Sequence, residues 1–121
     1  MRRDMNLVRE ILLAIEKAES GFAPPDIQVQ GYSEEIIGYH VYIMMEGGLL
    51  KGADVTVRGG KSPQAVPGRL TWAGHEFIDA ARDSTRWNRA LSLVGEKAGS
   101  VTISVLTELL ASLMKSALGL P

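Results

Sequence analysis

Cysteine is absent from the 121-residue chain, which excludes thiol nucleophiles, disulfide frameworks and thiolate-bound zinc or iron–sulfur centres. No apolar run approaches the roughly 20 residues that span a bilayer. Arg2-Arg3-Asp4 leads into an amphipathic stretch, unlike the apolar core of a signal peptide. The expected location is therefore cytoplasmic, with no membrane contact. Neither sign of charge dominates: 13 Lys+Arg stand against 14 Asp+Glu, for a net charge of -1 and a pI near 6.1. No global positive field draws the chain to nucleic acid, and any such binding needs a local patch.

The motifs of common chemistry are missing as well. His40 and His75 are the only histidines, and neither stands in a His-Glu-x-x-His arrangement. Gly60-Lys61-Ser62 is similar to the end of a phosphate-binding loop, but Val55 stands where the first glycine belongs and Pro63 follows where a helix should begin. No serine has a recognisable paired base, and the adjacent Glu34 and Glu35 suit a helix N-terminus better than paired acid–base work. The expectation is a non-enzymatic protein with no metal and no cofactor. Without repeats, low-complexity tracts or a long linker, 45% hydrophobic and 22% charged residues describe one globular domain with one core.

The apolar periodicity of Leu7, Val8, Ile11, Leu12, Ile15 and Ala18 predicts a helix over residues 4–19, stopped by Gly21 and Pro24-Pro25. Residues 27–30 alternate with period two and predict a short strand. Ser33 is a good N-cap for a second helix over 33–46, closed by Gly47-Gly48, with Tyr32 placed to staple onto Ile37. Its broad apolar arc carries Ile36, Ile37, His40, Val41, Ile43, Met44 and Met45, so His40 reads as a hydrogen-bonded core residue rather than a ligand. An extended segment from Leu49 with Val55 and Val57, a loop over 58–64 and a return over 65–70 predict a hairpin whose Pro67 belongs at an edge or bulge. Thr71 caps a further helix with one stripe from Ala73 to Val94 and a restart near Ser84-Thr85. Gly95 and Gly99 bracket a break before a last helix over 102–117.

This order of helix, short strand, helix, hairpin and helix resembles a winged helix-turn-helix domain of the α+β class, with an additional C-terminal helix. Residues 1–99 would form the winged-helix-like body, and 100–121 a packing or dimerisation helix of the same domain. Met45-Glu46-Gly47-Gly48-Leu49-Leu50 is similar to the end of a recognition helix entering its wing. Leu70-Thr71-Trp72-Ala73-Gly74-His75-Glu76-Phe77 resembles the phrase by which many winged-helix regulators leave it. A closer resemblance joins Met1-Arg2-Arg3-Asp4-Met5, Gly31-Tyr32-Ser33 with Tyr39-His40, and 70–83 with Trp87-Asn88 to a family of short bacterial and phage proteins. That family is a domain of unknown function, so it implies no activity but a mobile-element setting. The chain departs from the winged-helix plan between residues 20 and 32, where the helix that braces a recognition helix is either missing or reduced to a turn.

The second helix has no Lys, Arg, Asn or Gln, which makes it a poor reader of the major groove. Its Tyr39 and Tyr42, flanked by Glu35 and Glu46, look more like a protein-contact patch. Arg58, Lys61 and Arg69 lie on the expected wing, where they are either a contact for double-stranded DNA or solvated surface charge. Arg82, Arg86 and Arg89 alternate with Asp79 and Asp83 at spacings suited to pairing along a helix. The last helix carries a wide apolar arc, and Leu106, Leu109 and Leu113 make it a candidate homodimer surface. Two functions follow as expectations: a DNA-associated regulatory or accessory protein contacting DNA mainly through the wing, or a protein-interaction adaptor built on the same scaffold.

Overall fold

In a computed structural model, the residues described are 1–95 and 102–121. They form α1 (Met5–Glu16), α2 (Glu34–Glu46), β1 (Leu50–Asp54), β2 (Ala65–Leu70), α3 (Trp72–Ala81), α4 (Ser84–Val94) and α5 (Ile103–Ala117). The class is mixed α+β, with the strands paired as one antiparallel hairpin. The break expected between Gly95 and Gly99, and the boundary drawn at residue 99, lie beyond Gly95 outside the described residues.

Each helix starts where a short polar side chain can satisfy an orphan backbone N–H. Asp4 accepts from Leu7 N at 3.2 Å, Ser33 from Ile36 N at 3.2 Å, Asp83 from Arg86 N at 2.8 Å and Thr102 from Val105 N at 3.2 Å. The single stripe expected from Ala73 to Val94 is two helices, because Asp83 is extended and begins α4 afresh at Ser84, as the Ser84-Thr85 restart anticipated. The bond from Arg86 N, more than any other contact, holds the Asp83 carboxyl below its ordinary range. The first helix ends at Glu16 with Lys17 as its cap, short of residue 19.

The strand expected over 27–30 does not form. Its alternation is present, since Ile27 and Val29 pack on the core while Gln28 and Gln30 are exposed, yet the segment has no ladder partner. One bond, Ala23 N to Gly68 O at 2.7 Å, ties this stretch to β2. Pro24 and Pro25 lack donors, and so does Pro67 on β2, so a second ladder cannot grow there.

The return from the hairpin into α3 is a joint without spare room. Thr71 Oγ1 accepts from Gly74 N at 3.0 Å and donates to Gly48 O at 2.5 Å, while Thr71 N donates to Leu49 O at 3.2 Å. A methyl group on Gly74 would stand 2.0 Å from Leu49 O, so only glycine allows the first turn of α3 to meet the start of β1. The hairpin's exit is thereby clamped to its entrance.

Polar ties then join the helices around a core of α1, α2, α3, α4 and α5 side chains. Arg9 donates from Nε to Ala81 O at 2.7 Å and from Nη2 to Arg82 O at 2.9 Å, closing the C-terminal end of α3, and lies 5.7 Å over the Trp87 ring. Trp87 Nε1 donates to Asn6 Oδ1 at 2.8 Å. Arg82 donates from Nε to Glu16 Oε1 at 3.0 Å and also pairs with Asp79, which keeps its guanidinium firmly charged.

His40 is fully buried, as its place on the apolar arc implied. Its Nε2 accepts from Asp4 N at 2.9 Å, so Nδ1 carries the hydrogen and donates to Ile36 O at 2.9 Å. The Asp4 carboxylate in turn accepts from Tyr32 O–H at 2.7 Å, so one residue knits α1, α2 and the segment before α2 together. Chiefly through that bond, and then through burial, the Tyr32 phenol is pushed up from 10.0 to about 12.

Two outcomes follow. Arg9→Lys loses the planar fork that serves two carbonyls, and urea unfolding should show a loss of about 2 kcal/mol. For Tyr32 the folded value lies above the unfolded one, so its contribution is intact below pH 10 and fades as pH climbs toward about 12. The stability gap between wild type and Tyr32→Phe should therefore close over that window in parallel melts.

Candidate interaction surface

The hairpin has a buried face and an open one. Leu50 opposes Leu70, and both are buried together with Ala65, which opposes Asp54. On the other face Lys51 opposes Arg69 and Ala53 opposes Val66, with Val55 one step beyond β1. The register shifts between Lys51 and Gly52, where Gly68 is the extra residue on β2. The Val55 and Val57 alternation is real, but it points outward, leaving Val57 70% exposed in the loop.

The loop is anchored to α2 by a residue the sequence did not single out. Gln64 Nε2 donates to Glu35 O and to Ser62 Oγ, both at 2.8 Å, and Gln64 N donates to Thr56 Oγ1 at 3.0 Å. Thr56 N caps back onto Asp54 Oδ1 at 2.9 Å, and hydrogen bonds from Thr56 hold the Asp54 carboxyl below its ordinary range. Gly38 makes the latch fit: a methyl group there would stand 1.9 Å from Gln64 Oε1. A glycine inside a helix was the signal available in the sequence, since it costs about 1 kcal/mol against alanine and needs a packing reason.

The wing cations are separated by this geometry. Arg58 and Lys61 are at the exposed loop, and Lys61 lines a shallow recess together with Glu34 and Glu35 of α2. Arg69 is at the base, where its side chain donates to Leu70 O at 3.2 Å and where Lys51, not anticipated, joins it across the ladder. Tyr39 and Tyr42 of α2 are both half-buried; Tyr42 packs on the core, and Tyr39 meets His40 edge to face with ring centroids 6.0 Å apart. Of the second basic cluster, Arg82 pairs with Asp79 as expected, but its stronger tie is to Glu16 on α1.

Leu106 corrects the expected dimer surface. It is 1% exposed, held in the chain's own core beside Leu110, because α5 packs on α3 and α4 at once. Leu109 and Leu113 are half-buried on the flank of that core, and Val105 is the exposed apolar residue nearby.

Exposed large apolar side chains occur on and beside α4 and α5 (Leu93, Val105, Leu118, Leu120) and also on the hairpin and the segments flanking it. Trp72 opens α3 with 81% of its surface exposed and its Nε1 donating to Glu76 Oε1. Phe22, 69% exposed, precedes the residue bonded to Gly68, and Val55, Val57 and Val66 lie on the arm itself. Neither Trp72 nor Phe22 is singled out in the sequence, because both lie outside the apolar stripes of the helices.

Among the described residues, no helix is long and apolar enough to cross a membrane, and no cluster of His, Asp or Glu could hold a metal ion. The class defined by the fold of those residues is a small α+β domain of five helices with one two-stranded antiparallel hairpin packed against α2. The chain belongs to the DUF2513 family, described as a hypothetical protein, which it matches over residues 2–100. It is 27% identical over 120 residues to a Haemophilus influenzae Rd protein described as uncharacterized, covering 98% of this chain and 99% of the relative. No solved structure matches it.

Gly38→Ala tests the latch. The helix gains up to about 1 kcal/mol from alanine while Gln64 is displaced, so global stability should change little. Hydrogen exchange at the Val55 amide, which donates to Gln64 O at 2.9 Å, should nevertheless accelerate.

Proposed function

We propose that this chain is a protein-interaction adaptor on a winged-helix-like scaffold, with the hairpin as its wing and the surroundings of the hairpin as its contact surface. The observation that carries this reading is the exposure of Val55, Val57 and Val66 on the hairpin and of Phe22 and Trp72 on the segments that flank it. Exposed aromatic and branched apolar side chains grouped in this way favour a protein partner. The charges support it too, because Glu34 and Glu35 share a recess with Lys61 and would oppose an approaching phosphate.

Wing-led contact with double-stranded DNA is the second reading, favoured by the pairing of Lys51 with Arg69 at the arm's base. Arg58, Lys61 and Arg69 would supply the remaining phosphate contacts. Self-association through α5 would use Val105 with Leu109 and Leu113, since Leu106 is taken by the core.

A photo-crosslinking side chain at Val57 or Trp72 should give discrete protein adducts in cells, and the same group at exposed Lys17 should give none. Mixed duplex DNA should leave fluorescence anisotropy unchanged at about 50 mM salt. Tight binding abolished by Arg58→Glu with Lys61→Glu and Arg69→Glu, at unchanged melting temperature, would establish the DNA reading instead.

A further inference from the structure

The two edges of the hairpin are unlike. On β2, Pro67 has no N–H to offer, and the Gly68 carbonyl already accepts Ala23 N at 2.7 Å. That edge is closed. On β1, Leu49 O accepts from Thr71 N and Val55 N donates to Gln64 O, so both residues face β2. Antiparallel alternation then turns Lys51 and Ala53 toward β2 and turns the N–H and C=O of Gly52 and Asp54 away from it. Lys51, Gly52, Ala53 and Asp54 are all exposed, and Gly52 lets β1 approach β2, since a methyl group there would stand 2.2 Å from Val66 O.

The open face beside that edge has a definite chemistry. Lys51 and Arg69 stand directly opposite each other, an arrangement of like charge that weakens a ladder. Neither takes part in an ion pair among the described residues. Two positions nearer the tip, Ala53 opposes exposed Val66, and exposed Val55 follows. The surface therefore runs from two uncompensated cations at the base to an apolar stripe at the tip, on one side of an unpaired strand.

We propose that β1 accepts an extended segment of a partner protein by strand addition, and that this segment carries a carboxylate followed at alternate positions by apolar side chains. Main-chain hydrogen bonds to Gly52 and Asp54 supply the docking. The carboxylate beside Lys51 and Arg69 relieves their repulsion, and the alternate apolar residues cover Ala53, Val55 and Val66. This rests on the adaptor reading and names the partner's chemistry at the same arm.

The probe is a fluorescein-labelled synthetic peptide containing a single Glu-Thr-Val-Thr-Val segment, read by anisotropy against the full chain. Two N-methylated isomers separate strand addition from a merely charged contact. With its glutamate beside Lys51 and its valines running toward the tip this peptide lies parallel to β1, so methyl groups on the valine amides abolish binding and methyl groups on the threonine amides leave it intact; in the reversed peptide Val-Thr-Val-Thr-Glu, which would add antiparallel, the two exchange. Lys51→Glu should weaken the glutamate peptide about tenfold, with affinity restored when the peptide's glutamate is exchanged for lysine. Bound peptide should also slow exchange of the Gly52 and Asp54 amides. Equal binding of the two isomers, or no peptide binding at all, overturns strand addition, and crosslinks at Val57 in that event still support the adaptor. Displacement of the peptide by duplex DNA, with Arg58→Glu weakening the duplex, overturns both in favour of nucleic acid.

Discussion

The hairpin leaves and re-enters the core through one joint, and the rest of the surface depends on it. Leu49 O, Gly48 O, Thr71 and Gly74 meet so closely that a side chain at Gly74 has no space. Because the first turn of α3 is pressed against the start of β1, the two strands leave the joint side by side and lie along α2. The hairpin is thereby divided into a face that supplies Leu50, Ala65 and Leu70 to the core and a face that supplies nothing to it. The Gln64 bond to Glu35 O then restrains the far end against α2.

The cations fall into two groups by the same logic. Arg9 and Arg82 are enclosed by partners that use their geometry: carbonyls at the end of α3, the Trp87 ring, and the carboxylates of Glu16 and Asp79. Replacing either removes structure before it removes charge. Lys51, Arg58, Lys61 and Arg69 stand on the arm, exposed and outside any ion pair among the described residues. Net charge near zero conceals this division. The family's description names no activity, and the hairpin's own chemistry is the guide to what it meets.

Much of the fold was legible in the chain itself. Caps at Ser33 and Thr71, the apolar spacing of α1, α2 and α5, and the burial of His40 are local facts, each settled by a few neighbouring residues. Residues 27–30 show the limit of that reasoning. Their alternation describes which side chains pack inward, but a strand also needs a partner, and Pro24, Pro25 and Pro67 deny it one.

Periodicity along the sequence therefore determined which segments are helical, where they begin and which face of each is apolar, because those properties arise within a turn or two of backbone. Only the tertiary structure decided that Leu106 belongs to the core while Trp72 does not, that Lys51 faces Arg69, and that one edge of the hairpin is closed and the other open. These depend on which distant surfaces meet, and an amphipathic pattern records that a face must be covered without naming what covers it.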